Sequence, residues 1–352
     1  MPMIPEAFIA MHACIRIGAI HSVVFGGFAP EELANRIQHS KPKLIVTASA
    51  GIEINKIIPY TPTVDKALEL AGHPEMKRII VQRRSYRERD IDHRLYLDFE
   101  EEIAKVPHEQ GHEVVFVPGE HPFFILYTSG TTGQPKGIYR SHGGSLVAYN
   151  YKMKYIMDMH QRDVMLTPSD IGWIVGHSFI IYGPLLRGGT SVMYEGKPVG
   201  TPNSGVLFRL IEEHKVKIFF VAPTAVRAIK KEDYHGELIK QHDLSTLKGI
   251  HLAGERCDPD TVHWMQKMFP KAFINDNWWQ TESGWMICSN FQNLGKRFKT
   301  KPGSATKPSP GWDVLMMDDE DNEFHQPNKV GKIMIRLPCP PGHMDGLWGN
   351  DQ

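Results

Sequence analysis

Phe123-Phe124-Ile125-Leu126-Tyr127-Thr128-Ser129-Gly130-Thr131-Thr132-Gly133-Gln134-Pro135-Lys136-Gly137 is an apolar run that breaks into a loop of hydroxyls and glycines. Its first four residues read as a buried strand of a parallel sheet. The loop itself is no element interior, because Thr128, Ser129, Thr131 and Thr132 are interspersed with Gly130, Gly133, Pro135 and Gly137. Glycine reaches φ > 0 and lets backbone N–H groups approach a ligand with no Cβ in the way. Successive N–H groups in such a loop form an anion-binding concavity, to which the hydroxyls add donors. Lys136 contributes a positive charge and Pro135 stiffens the approach to it. This chemistry suits a nucleoside triphosphate and its metal ion. A flexible Gly/Ser/Thr linker has similar letters, but linkers seldom sit directly behind a hydrophobic strand.

The loop lacks the Gly-Lys-Ser/Thr ending of a Walker A motif, and no G-x-G-x-x-G follows a strand elsewhere. On either side of it, strand and helix signals alternate. Helices are expected from Pro5 to Gly18, and at 31–39, 62–71, 177–187, 204–214, 223–231 and 258–268. Strands are expected at 20–25, 43–47, 78–81, 164–166, 190–194, 217–221 and 249–252. Such alternation builds an α/β fold, mostly parallel sheets flanked by helices. From Trp312 the pattern changes to short strands, 314–317 and 330–335, which predict a small antiparallel β appendage. Residues 1–311 therefore read as an α/β core and 312–352 as the start of a β subdomain. Opening on helical core material and ending on the Pro/Gly-rich stretch 338–352, where no closing element is expected, the chain reads as a truncated piece.

The chain has 352 residues, 41% hydrophobic and 23% charged, with a formal net charge of zero, which supports a large buried core. That balance removes any case for generalised nucleic-acid binding. No apolar run reaches bilayer-spanning length, so no membrane insertion is expected. Cys14, Cys257, Cys288 and Cys339 form no C-x-x-C pair and are expected as reduced thiols. The arginines between Gln82 and Asp92 lie among opposite charges and read as a solvated loop.

Three further segments carry chemistry. In Ser169-Asp170-Ile171-Gly172-Trp173-Ile174-Val175-Gly176-His177-Ser178, His177 is expected to open a helix, where it would orient a phosphate or carboxylate; the plainer alternative is that it caps and packs. In Leu252-Ala253-Gly254-Glu255-Arg256-Cys257, Gly254 leaves room for a flat ring, and Glu255 and Arg256 are expected to pair; an ordinary strand-to-helix turn explains the same letters. In Asp276-Asn277-Trp278-Trp279-Gln280-Thr281-Glu282-Ser283-Gly284, two indoles stand beside an amide, a hydroxyl and a carboxylate. That mixture suits a pocket with one apolar and one polar wall rather than core or a surface patch. Glu282 is a hard-oxygen ligand for Mg²⁺, and Thr281 is placed to donate to a phosphate.

The run from Tyr127 to Gly137 resembles the signature of the adenylate-forming superfamily, Tyr-Thr-Ser-Gly-Thr-Thr-Gly-x-Pro-Lys-Gly. In order and spacing the chain, from Met3-Ile4-Pro5-Glu6-Ala7 through Leu347-Trp348, is similar to short-chain acyl-CoA synthetases. The segments Tyr194–Pro202 and Ala222–Arg227 look like the acetyl-/propionyl-CoA branch. The resemblance implies ATP and coenzyme A as substrates with Mg²⁺, and a short acid activated through an acyl-adenylate. It implies that Thr128, Ser129, Gly130, Thr131, Thr132, Gly133 and Lys136 hold the β- and γ-phosphates. Gly254, Glu255, Arg256, Asp276, Asn277, Trp278, Trp279 and Gln280 would surround adenine. Thr281 would meet the α-phosphate and Glu282 the metal, with Lys136, Thr281, Glu282 and His177 as the catalytic set. Trp279, Ile174 and Val175 would wall the acyl pocket, and Ala222 would border the CoA thiol. The family's Tyr-x-x-Gly-Asp segment and its small C-terminal lysine domain are absent. The chain is therefore expected to be incomplete for catalysis, the alternative being a non-catalytic product that binds only nucleotide or a partner. A peptide-synthetase module fits the paired tryptophans less well. By resemblance alone, the expected compartment is the mitochondrial matrix, with the cytosol as the alternative.

Overall fold

Alternating apolar residues on short parallel strands organise the molecule. The computed structural model describes residues 1–87, 91–107, 111–128, 136–295 and 297–350. Ser129, Gly130, Thr131, Thr132 and Gly133 of the hydroxyl loop lie outside the described residues. The strands in chain order begin with β1 (Leu44–Ala48), β2 (Ala50–Glu53), β3 (Lys56–Pro59), β4 (Lys77–Val81) and β5 (Tyr96–Asp98). Next come β6 (Pro122–Thr128), β7 (Lys136–Ser141), β8 (Val164–Leu166), β9 (Thr190–Val192), β10 (Ile218–Val221), β11 (Gly249–Leu252) and β12 (Phe273–Asp276). The last are β13 (Cys288–Ser289), β14 (Lys307–Pro308), β15 (Asp313–Met317), β16 (Lys332–Arg336) and β17 (Gly346–Leu347).

The central sheet runs β12-β11-β10-β8-β9, all parallel. Its side chains alternate between two cores, as the pleat dictates. Ile218 and Phe220 join one cluster with Met165, Phe179 and Trp279. Phe219 and Val221 join another with Leu166, Ile250, Leu252, Phe208 and Trp264. Helices Val206–Glu213, Pro223–Glu232 and Pro259–Met268 contribute to this second core. The first core is closed by residues of β6, of helix His142–Tyr151 and of the helical stretch from Ile174 to Leu186. A smaller parallel sheet, β1-β4-β5, accompanies helices Pro30–Ser40 and Thr61–Leu70. The α/β architecture with small antiparallel additions is thus as the pattern predicts, including the β15–β16 hairpin.

Four local expectations need correction. Phe123–Leu126 is a strand, but β6 pairs antiparallel with β7, Thr128 opposite Lys136. A continuous apolar run reports burial on both faces and not the direction of its neighbour. Residues 20–25 form no strand: only His21 bridges Phe124, while Phe25 turns away to pack against Trp173 at 5.8 Å between centroids. The segment 338–352 contains β17, which lies antiparallel on β7 with Leu347 opposite Ile138. Among the arginines read as solvated, Arg83 makes a largely buried ion pair with Glu195 at 2.6 Å. Strand β12, the β2–β3 hairpin and helix His142–Tyr151 had no sequence expectation.

Candidate functional site

Three central strands end at one level, with Val221, Leu252 and Asp276 in register. Neighbouring strands lie about 4.8 Å apart, so the segments leaving them form one continuous rim. The rim carries Ala222, which caps helix Pro223–Glu232, then Gly254-Glu255-Arg256, then Asn277 through Glu282. The carboxyl edge of a parallel sheet is where open α/β folds bind ligands. Gly254 sits at φ +110°, and a Cβ there would meet nothing within 4 Å, so open space lies over its backbone. Glu255 pairs with Arg227 at 2.6 Å, not with Arg256, whose guanidinium reaches the Gly303 carbonyl at 3.2 Å. The two charges diverge because Arg227 rises from the adjacent helix while Arg256 turns toward the 303 loop.

Asp276 and Asn277 do different work. Burial pushes the Asp276 carboxyl up to about 6. Asn277 is buried, its amide nitrogen donating to the carbonyls of Leu252 (3.0 Å) and Asn275 (3.1 Å). It fixes the end of β12 rather than facing solvent. The tandem indoles separate: Trp278 packs beside Trp285 and Trp312, while Trp279 enters the large core. Trp279 is therefore core as well as candidate wall, its ring edge-on to Phe179 at 5.7 Å. Ile174 and Val175 belong to the same apolar assembly.

The turn after Trp279 is held from below by two buried cations. Arg140 on β7 donates to the Thr281 carbonyl, to Glu282 O at 3.1 Å and to Gly342 O at 3.1 Å. Desolvation pushes its pKa down to about 10. Lys152 donates to Gly284 O at 3.3 Å. Gly284 adopts φ +73°, and a Cβ would drive into the Gly342 carbonyl oxygen and the Arg140 guanidinium. The Glu282 carbonyl also accepts from Met344 N–H at 2.9 Å. Lys136 opens the same strand as Arg140, four positions earlier, and even spacing puts both on one face of the pleat. At about 3.3 Å per residue, roughly 13 Å of strand separates Lys136 from the residue that grips Thr281 and Glu282. Thr128 lies opposite Lys136.

His177 is enclosed. The helical stretch begins at Ile174, and His177 starts a π-helical turn, so it is not at a helix N-terminus. Its ring is 0% exposed, stacks near Phe124 (4.5 Å) and His21 (5.5 Å), and shares Nδ1–H with the Trp173 carbonyl at 3.1 Å. Burial holds it neutral, its pKa pushed down to about 4. This is the packing role, and the anion-orienting expectation is corrected accordingly.

A family model described as AMP-binding enzyme matches residues 1–348. The chain belongs to that family. Acyl-CoA synthetase short-chain family member 3, mitochondrial, from Bos taurus is 47% identical over 352 residues, covering 100% of this chain and 51% of that protein. The propionate–CoA ligase of Escherichia coli (strain K12) is 41% identical over 356 residues, covering 100% of this chain and 55% of that protein. Acetoacetyl-CoA synthetase from Streptomyces lividans superposes with a TM-score of 0.86 at 23% identity, covering 100% of this chain and 52% of that structure, which shows the fold. The chain spans about half the length of the curated relatives it matches.

For an AMP-binding enzyme, the residues that sequence reasoning missed are Arg140 and Lys152. A basic residue inside the apolar strand Ile138-Tyr139-Arg140 was a usable signal, since charge is rarely buried without a task. Lys152 gave none, because it follows a helix and reads as surface. Among the described residues no helix is long and apolar enough to cross a membrane.

Proposed function

We propose that these residues form the nucleotide- and acyl-binding half of an AMP-forming acyl-CoA synthetase acting on acetate or propionate. The observation that carries this is the common rim: Ala222, Gly254–Arg256 and Asn277–Glu282 share one sheet edge, tied through Arg140 to the strand that Lys136 begins. In this reading adenine lies over Gly254, flanked by Glu255, Arg256 and the segment Asp276–Gln280. Thr281 donates to the α-phosphate. Thr128 and Lys136, with Ser129, Gly130, Thr131, Thr132 and Gly133 between them, neutralise the β- and γ-phosphates. The substrate carboxylate attacks the α-phosphorus and pyrophosphate leaves. The CoA thiol, approaching past Ala222, then attacks the acyl carbon and AMP departs. The protein's contribution is alignment and fixed donors rather than covalent chemistry.

Glu282 is half-buried, and no carboxyl hydrogen bond or ion pair of its side chain occurs among the described residues. No cluster of three or more His, Cys, Asp or Glu is arranged as a metal cage among them. A single free carboxylate fits Mg²⁺, which takes most of its ligands from phosphate oxygens and water. The ion would supply charge neutralisation on the phosphates. Trp279, with Ile174 and Val175, closes the acyl end. One methylene is worth about 1–3 kcal/mol in such a pocket, so acetate and propionate are both accepted.

Calorimetric titration of the 352-residue chain with AMP and with Mg·ATP tests the reading. One-to-one binding of both is expected, and no binding at millimolar nucleotide overturns it. The half-length match favours a second reading, in which these residues bind nucleotide without completing turnover. Propionate-dependent pyrophosphate release by the same chain would refute that second reading. The mitochondrial name of the Bos taurus relative supports a matrix location, and the bacterial ligase makes the cytosol the alternative.

A further inference from the structure

Lys152 is the first residue of a π-helical turn, Lys152–Ile156, that continues helix His142–Tyr151. Such turns widen a helix and re-aim its side chains. Here the lysine is aimed inward and is 0% exposed. Its Nζ lies over three rings, Tyr149 at 4.5 Å, Phe179 at 4.7 Å and Trp279 at 5.5 Å. Its hydrogen bond goes to the Gly284 carbonyl at 3.3 Å, and among the described residues it reaches no carboxylate. Burial, and secondarily the charge of Arg140, hold its pKa well below the usual lysine value. Burying a lysine amine without a counter-ion is costly whether it keeps or gives up its proton, so its presence calls for a task that an apolar residue would not perform.

Two groups that Lys152 touches belong to the site. Trp279 is the candidate end wall, and Gly284 ends the turn bearing Thr281 and Glu282. We propose that Lys152 is a specificity-positioning residue: by holding the Trp279 indole on one side and the Gly284 carbonyl on the other, it fixes the depth of the acyl pocket. The inference rests on the reading of Trp279 as that end wall. The indole meets both the Lys152 Nζ, 5.5 Å from its centroid, and Phe179, edge-on at 5.7 Å. Methionine at 152 has similar length but no charge and no donor, so the indole is released toward the lysine's place and the pocket deepens. Arginine carries a broader planar head, which presses the indole the other way and shortens the pocket. General loosening of the fold would move both variants in one direction.

The probes are non-hydrolysable sulfamoyl analogues of acetyl-, propionyl- and butyryl-adenylate, titrated calorimetrically into the 352-residue chain, with AMP as reference. In Lys152→Met the butyryl analogue gains about tenfold relative to propionyl, while AMP affinity stays within about twofold. In Lys152→Arg the propionyl analogue loses about tenfold relative to acetyl. Ratios unmoved in both variants, or moved in the same direction, overturn the inference. If Lys152→Met does not fold, the Lys152→Arg ratio alone decides. Absence of AMP binding by the unsubstituted chain overturns the nucleotide reading, and this inference with it. Intact AMP binding with unmoved ratios overturns this inference alone.

Discussion

Acidification from pH 7.5 to 5 is expected to cost this fold about 3 kcal/mol, and two buried histidines set most of that figure. His177 and His251 are 0% exposed, and burial pushes their pKa values down to about 4 and about 3. In the unfolded chain both titrate near 6.5. Below that pH the unfolded state takes up protons that the folded state refuses, so stability present above 6.5 is lost as pH falls toward the folded values. At pH 5 the unfolded state gains a factor of about thirty per histidine, roughly 2 kcal/mol each. His21, also pushed well down by burial and by His177, acts in the same direction.

Asp276 opposes them. Its carboxyl is raised to about 6, so it stabilises the fold below its unfolded value and loses that contribution as pH rises through 6. Discounted for the solvated part of its carboxyl, it returns about 1 kcal/mol at pH 5. Urea unfolding followed by tryptophan fluorescence at pH 7.5, 6.5, 5.5 and 5.0 reads the balance. His251→Asn removes about two-thirds of the net pH-dependent loss, and His177→Gln together with His251→Asn abolishes it, leaving the opposing contribution of Asp276 against that of His21. Unfolding free energy constant to within about 0.5 kcal/mol across the range refutes the reasoning, as does a full-sized slope in His251→Asn.

Glu282→Gln weakens Mg·ATP binding about tenfold or more while leaving AMP affinity near its original value, measured by calorimetry with and without EDTA. Gly254→Ala costs about 1–2 kcal/mol in backbone strain at φ +110° and lowers AMP affinity by more than that strain alone predicts, because the new methyl occupies the open space over the strand end. Gly284→Ala collides with the Gly342 carbonyl and the Arg140 guanidinium, and lowers the urea midpoint by an amount equivalent to about 3 kcal/mol or more. Burial holds the Lys152 pKa well below its unfolded value, a cost of folding near neutral pH that Lys152→Met removes, raising unfolding free energy by about 1 kcal/mol or more in the same assay.

The parts legible in the sequence are those where local pattern and final environment agree. β8, β10 and β11 are short, mostly apolar runs, and the structure leaves them where that pattern puts them. β12 escaped because half of Phe273-Ile274-Asn275-Asp276 is polar. Its ladder is stabilised by side-chain bonds that only tertiary structure supplies, such as Asn275 Nδ2 to Asn290 O at 2.7 Å. The same limit applies to the site. Motif spacing picked out Gly254 and the 276–284 segment, since both sit at strand ends where a short stretch of chain contains the whole feature. It misassigned His177, whose partners Phe124 and His21 are more than fifty residues away in sequence, a separation visible in the numbering alone. The targets of Arg140 and Lys152 were hidden for a related reason. Each acts on backbone carbonyls of the 281–284 turn, and a carbonyl is present at every residue, so no sequence records which one a distant cation will find. The residues proposed to bind are therefore read more easily than those that hold them in place, and it is in the second group that variants with unchanged AMP affinity but altered acid preference are expected.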